Sequence, residues 1–581
     1  MTSNRYYRSL PRHTAILAVT IALTLIAHPL SGWSAEKSRS STKSLTSDEK
    51  IVQVLNRLGY GPRPGDLERI RRIGIEKYIE QQLNPEKIDD RALESRLAQL
   101  GTLTMDTGDL VRAYPPPEAL KRLQQSVDKE EEADNSKKPL SKRGLEAFLD
   151  PEAVKGGPQQ ILLELSQQHL LRAVYSERQL YEVMVDFWTN HFNVFWAKGA
   201  DRYLMTAYQH DVIRPNAMGS FPALLAATSQ SPAMLFYLDN WMSIDPNAQE
   251  RILNARQQRN RRLGLGRRRI NNPLPDLSTD KKQPNSESQP KRGRRTGLNE
   301  NYARELMELH TLGVDGGYSQ KDVTEVARCF TGWTLKREGE DIKFNFNSWF
   351  HDDGEKVVLG EKIPAGGGKR DGERVLEILI KHPSTARFIA TKLVRHFIAD
   401  EPTEALVSKV AATYTKTNGD IRSMLTTIFT STEFYSRDNY LSKVKSPLAL
   451  IASALRAADA DTNANRQLLV YLAKMGQPLF LCQPPTGYGD TADKWINTAA
   501  LVERLNFALA LCEGRIAGTT PKLLRNRSES VSVDSVIEQF LYERISSTTR
   551  HTIEQEIGIL TPEKLPKLVG LLLGSPEFQK M

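Results

Sequence analysis

Residues 298–333, LNENYARELMELHTLGVDGGYSQKDVTEVARCFTGW, constrain the fold more than any other stretch. They read as two helices joined by a glycine turn, the first from about Asn299 to Leu312. At about 100° per residue from Tyr302, Leu306, Leu309 and Gly313 fall within about 40° of it and make an apolar stripe. Glu305 then lies at about 300° and His310 at about 80°, inside or against that stripe. Arg304, Glu308 and Thr311 occupy the opposite arc, where Arg304 and Glu308 are spaced to pair at i, i+4. The helix therefore turns a carboxylate and an imidazole toward an interior. A buried carboxylate has to be paired, ligated or neutral. Glu305 and His310 are thus candidate catalytic residues, with Arg304 beside them.

Gly313 suits a helix C-terminus, and Gly316-Gly317 a turn. Ser319 and Asp322 have the spacing of a capping box for the second helix. Val323, Val326, Ala327 and Phe330 follow at i, i+3, i+4, i+7, so this helix buries one face. A second strong helical segment is 176–196, SERQLYEVMVDFWTNHFNVFW. Its apolar positions run Leu180, Val183, Met184, Phe187, Trp188, His191, Phe192, Phe195, which is a wide buried face with His191 on it. Asp186, Asn190 and Asn193 form a second, polar row alongside, which gives modest support to a bordering cleft, while a lone His191 on an apolar face is more often a hydrogen-bonded core residue than a ligand.

The chain has 581 residues, enough for one large or two ordinary domains. Arg5, Arg8 and Arg12 precede an apolar run from Ala15 to Ala27, then Pro29, Gly32 and Ala35. That order of charge, apolar core and small residues predicts a signal peptide over 1–35 and an exported protein, periplasmic or extracellular. The run is too short to span a bilayer comfortably, and no later segment reads as a membrane span. Residues 36–47 read as a flexible linker. The formal net charge of +9 is concentrated: residues 250–297 hold 14 Lys and Arg against 4 Asp and Glu. Without that insertion and the signal peptide the chain is slightly acidic, at about −4. The insertion lacks periodicity and is expected to be disordered. Few aromatics are interleaved in it for stacking, so no nucleic acid is expected as partner. The three cysteines, Cys329, Cys482 and Cys512, sit in apolar surroundings and show no zinc spacing. Buried thiols are the favoured reading, with one disulfide as the alternative.

Further helices are expected over 48–84, broken at Gly59-Tyr60-Gly61-Pro62, over 201–242, from Pro383, near 403–416, 419–433, 445–458 and 465–475, from Asn497 or Thr498, and near 531–545 and 562–572. Residues 110–160 read as a charged surface excursion. Strand alternation is confined to 341–362, where Asp353-Gly354 reads as the turn of one small β-hairpin. His351 and Asp352 sit at that turn. The predicted fold is therefore mainly α, a multi-helix array over 48–580, as one body or as two lobes at 48–335 and 370–580.

These segments together resemble the bacterial family called domain of unknown function 1800. The likeness rests on LNRLGYGPRPGDL, DFWTNHFNVF, the 298–333 stretch, FHDDGEKVVLG and the segment from Gly476 to Thr498. It implies an exported, mostly helical bacterial protein. It also implies a co-encoded exported partner resembling the alkaline-phosphatase and sulfatase fold. It establishes no activity. The positions matching the family pattern are Tyr60, Gly61, His191, Asn193, Asn301, Arg304, Glu305, Glu308, His310, Gly313, Trp333, His351, Asp352 and Trp495.

Three functions fit these residues. A scaffold or partner of a neighbouring envelope enzyme would use the buried polar groups to lock helices. A hydrolase would use Glu305, His310, His191 or Arg304 for acid/base work, or His191, Glu305, His310, His351 and Asp352 as ligands to a divalent metal. An envelope protein binding anionic polymer would need only the basic insertion. No H-E-x-x-H or G-x-S-x-G signature favours the second. Glu305 and His310 stand about 140° apart on an ideal helix and do not chelate one ion unaided. The scaffold role is therefore the leading expectation.

Overall fold

The computed structural model describes residues 44–115, 157–248, 297–338, 341–522, 532–542 and 544–581, with 250, 251 and 254. The expected signal peptide, most of the 250–297 insertion and most of the 110–160 excursion lie outside these residues. Two compact units form: one takes the described residues up to Thr228 and from Ile380 onward, the other is Ser229–Leu379. The larger unit is thus assembled from both ends of the chain, unlike a division into 48–335 and 370–580. Both units are mainly helical. The described strands make three two-stranded antiparallel sheets.

Several margins of segments expected to be irregular are built into the larger unit. Leu45 is buried with Val52 and Tyr440. Thr46 caps the helix Ser47–Arg57 in a reciprocal box with Glu49. Leu110, in the helix Thr107–Ala113, is buried against Ile161 and Tyr203. Glu49 also joins distant parts of the unit, reaching Arg437 at 2.5 Å and Arg544 at 2.9 Å. The helix Pro383–Phe397 buries the predicted face, Ala386, Ile389, Ala390, Leu393 and Phe397. It packs on Glu404–Thr417 and Ile421–Phe429. Thr498–Cys512 packs along Leu565–Gly574, where a Cβ at Gly574 would lie 2.6 Å from Leu505 Cδ1. Each large apolar side chain so enclosed contributes about 1.5–3 kcal/mol.

The helix Gln179–His191 stops short of the predicted 196. Past it, Asn193 leaves the helical path and donates to the carbonyls of Cys482 and Pro484 at 2.9 and 2.8 Å. A helix Ser547–Ile557 was not expected; only Ile553 and Ile557 of it are buried, too few to make a pattern.

In the smaller unit the 298–333 stretch forms two helices, with one correction. Regular α-helix covers only Glu300–Glu305, and Leu306–Thr311 is a π-helix. The wider i→i+5 turn rotates everything after Glu305 away from the 100° expectation. Thr311, placed on the outer arc, is fully buried and donates to the carbonyl of Leu306 at 2.7 Å. Glu308 is drawn off Arg304 and accepts from the Tyr318 hydroxyl at 3.1 Å. Arg304 instead meets Glu300 at 3.5 Å and Gln320 at 2.9 Å. The second helix, Gln320–Cys329, has its Ser319–Asp322 capping box. Val323, Val326, Ala327 and Phe330 are buried as predicted.

The strand region also differs. Asp341–Phe346 pairs back onto Trp333–Glu338, and Lys356–Val358 pairs forward onto Glu361–Ile363. Asp353-Gly354 is no hairpin turn: it lies between the two hairpins, where Asp352 Oδ1 accepts from the Gly354 amide at 2.9 Å. The second hairpin turns at Leu359-Gly360, both at positive φ, and a leucine in that role is a poor turn signal.

Candidate functional site

The polar row Asp186, Asn190, Asn193 borders a cleft of about 330 Å³, all of it within the larger unit. Local chain chemistry builds its walls. The helix Ser47–Arg57 and the following Gly59-Tyr60 turn supply one side, and the helix Gln179–His191 supplies another. The polar face of Pro383–Phe397 contributes Lys392, Arg395 and His396. The Pro- and Gly-rich loop after Gln477 covers them with Tyr488, Asp490 and, just beyond, Trp495. That loop is tied down reciprocally: Asn190 donates to the Tyr488 carbonyl at 2.8 Å and accepts from its amide at 2.7 Å. Gly487 makes this approach geometrically feasible. It has φ +69°, and a Cβ there would sit 2.3 Å from the Asn190 carbonyl oxygen.

Two imidazoles in the cleft are each held by a carboxylate. His396 Nδ1 donates to Asp490 Oδ2 at 2.9 Å, and His169 Nε2 donates to Asp186 Oδ1 at 2.9 Å. Asp490 is the electrostatic hub. Lys443 donates to its backbone carbonyl at 3.1 Å and to Asp400 at 2.6 Å. Burial pushes the Asp490 carboxyl up, but His396, Lys443 and Lys392 outweigh it and hold it below the ordinary carboxylate range. Asp490 therefore stays ionised and fixes the ring of His396, which lines the cleft and leaves Nε2 without a hydrogen bond among the described residues. That is the arrangement of an oriented general base.

Around this pair stand cations with no carboxylate of their own. Lys392 lies over the Phe388 ring at 5.6 Å and makes no ion pair among the described residues. Burial pushes its ammonium down to about 8, against the attraction of Asp490. Arg395 spends one bond on the Asp400 carbonyl, at 3.1 Å. Arg57, buried, also lines the cleft; its Nη2 donates to Ile398 O, Asn439 O and Ser442 Oγ, while Nε and Nη1 have no hydrogen-bond partner among the described residues. Tyr60 lines the same cleft, its phenol pushed well up by burial and by Asp186 and Glu182.

His191 is not part of the lining. It is buried in an aromatic box, with ring centroids 4.5 Å from Phe192, 5.4 Å from Trp188 and 6.2 Å from Phe388. The other candidates belong to the smaller unit. His351 is fully buried: Nδ1 donates to Thr331 O at 2.8 Å, and Nε2 meets Asp371 at 3.0 Å. Asp371 also holds the buried Lys356 at 2.5 Å. Asp352 is locked to Arg328 at 2.8 Å, with Glu325 on the same guanidinium at 2.9 Å. His310 is buried, and Glu305 is half-buried. Burial raises the Glu305 carboxyl and Glu308 adds to this, while Arg304 opposes. Among the described residues no three His, Cys, Asp or Glu side chains are grouped to hold a metal ion. The three cysteines are buried and unpaired.

A family model described as "Protein of unknown function (DUF1800)" matches residues 53–580. The chain belongs to this family. No curated protein and no solved structure matches it. In this DUF1800 chain the family-pattern positions Tyr60, Asn193 and Trp495 line the cleft, while Trp333 and His351 are buried in the smaller unit. Lys392, His396 and Asp490 were missed by sequence reasoning. The one signal for them was the segment from Gly476 to Thr498, part of the family likeness, which contains Asp490. Among the described residues no helix is long and apolar enough to cross a membrane.

Proposed function

We propose that this protein is an exported hydrolase whose water-activating base is His396 in the cleft of the larger unit. The observation that carries the reading is the Asp490–His396 pair at 2.9 Å beside Lys392, an ammonium with no ion pair among the described residues. In the reaction, His396 Nε2 takes a proton from water. The water oxygen bonds to the electrophilic centre, the bond to the leaving group breaks, and the imidazolium returns the proton to the leaving group. Asp490 orients the ring and stabilises its charged form. Export rests on the Arg5–Ala35 pattern.

A second reading is favoured by a separate observation. The His351–Asp371–Lys356 network is buried and internally bonded, and the Arg328–Asp352 pair is part-buried, as a locking scaffold requires. The smaller unit then serves as structural support or as a docking body for the co-encoded phosphatase- or sulfatase-like partner.

The test is turnover of a panel of chromogenic carboxyl, phosphate and sulfate esters by wild type, His396→Asn and Asp490→Asn. The expected result is a loss of about 10²–10⁴-fold in His396→Asn, the range for general-base removal, with an unchanged melting temperature. Full activity in His396→Asn would refute the assignment.

A further inference from the structure

We infer that the cleft takes a substrate bearing a phosphoryl group, held by Lys392 and Arg395 over the charge of Arg57. This inference rests on the hydrolytic reading of the same cleft and names its substrate class. The charged side chains lining the cleft are Arg57, Lys392 and Arg395 with the carboxylates Asp186 and Asp490; His169, His396, Tyr60, Tyr488 and Met581 at the end of the chain also line it. Both carboxylates are already engaged: Asp186 by His169, Asp490 by His396 with Lys443 close by. None of the three remaining cations forms an ion pair among the described residues; Asp490 acts on Lys392, and Asp490 and Asp400 on Arg57, only at longer range. Arg57 is 3% exposed with two nitrogens unpartnered. Among the described residues Arg395 bonds only a backbone carbonyl, and Lys392 only an aromatic face.

Cations enclosed without anions cost free energy on folding, and an incoming anion recovers it. Three such charges in a cleft of about 330 Å³ match a group carrying two negative charges better than a carboxylate carrying one. The cleft volume suits a small molecule. Tyr60, Tyr488 and Trp495 also line the cleft and supply aromatic surface for the rest of that molecule.

The experiment is isothermal titration of the full chain with inorganic phosphate, and separately with acetate, at constant ionic strength and pH 7. Wild type is expected to bind one phosphate, at least tenfold tighter than acetate. Lys392→Met and Arg395→Gln, which replace half-buried side chains and leave the core untouched, are each expected to weaken phosphate binding about tenfold. His396→Asn is expected to keep it. Phosphate binding that is absent in wild type, equal to that of acetate, or unchanged in both variants overturns the inference. Ester turnover without phosphate binding overturns the substrate class alone. Phosphate binding by a His396→Asn protein that retains full turnover overturns the catalytic reading alone.

Discussion

Lys445 gives the sharpest stability prediction. Its side chain is 4% exposed, its ammonium sits 4.0 Å from the Phe578 ring centre, and no carboxylate pairs with it among the described residues. The neighbouring cation is Arg504, fully buried, whose Nη2 donates to the Lys445 carbonyl at 3.0 Å. Burial, reinforced by Arg504, pushes the Lys445 ammonium down to about 7. The ordinary value is about 10.4, so the fall corresponds to at most about 4–5 kcal/mol. The ring face opposes it by about 2 kcal/mol, leaving about 2–3 kcal/mol to be seen. The sign follows from proton counting. Between pH 7 and about 10 the unfolded chain holds the proton and the folded chain does not, so wild-type stability rises with pH through that window. Below pH 7 the full penalty is present. Lys445→Met keeps the length of the side chain and contacts Phe578 through sulfur, without a titrating group. In urea unfolding from pH 6 to pH 10, the variant's advantage over wild type is expected to be greatest at pH 6–7. It is expected to shrink by about 2–3 kcal/mol by pH 10. A difference that stays flat across this range refutes the reasoning.

Glu49 tests a charge that the fold stabilises, where that of Lys445 is destabilised. Its carboxyl is lowered to about 2, chiefly by Arg437, so its contribution is present above the ordinary carboxylate range and lost as pH falls from about 4.5 toward 2. Glu49→Gln is expected to cost about 1–2 kcal/mol at pH 7 in urea unfolding, and nothing near pH 2. Asp371→Asn leaves the Lys356 ammonium enclosed without its carboxylate and is expected to cost about 3–5 kcal/mol by the same assay. Adding Lys356→Met is expected to restore much of that loss. Gly487→Ala forces a Cβ onto the Asn190 carbonyl and is expected to weaken phosphate binding measured by titration, with a small effect on the melting temperature.

Periodicity made the helical fold legible because burial follows from spacing. The face from Ala386 to Phe397 and the one from Val323 to Phe330 are both buried as their spacing requires. What escaped were departures from ideal rotation. A π-turn after Glu305 carries no compositional mark, so Thr311 was assigned to the wrong side. The Leu359-Gly360 turn was hidden by a leucine at φ +50°.

The site was half legible for a related reason. Asp186, Asn190 and Asn193 stood out because they interrupt a strongly apolar helix. Lys392, Arg395 and His396 did not, because on Pro383–Phe397 they occupy the arc opposite the core, where solvated charges are the ordinary expectation. Spacing separates core from non-core and cannot separate bulk water from a cleft. The loop from Gln477 to Asp490 makes that distinction, 94 residues from His396 to Asp490 in the chain, by closing over the charged arc and supplying its carboxylate. Without this cover, Lys392 would be an unremarkable surface lysine. With it, burial pushes the ammonium down to about 8 and places it beside an oriented imidazole. The chemistry of the cleft therefore depends on the Asn190–Tyr488 clasp, and a variant that opens the clasp should return Lys392 toward ordinary lysine behaviour before it disturbs the helices beneath.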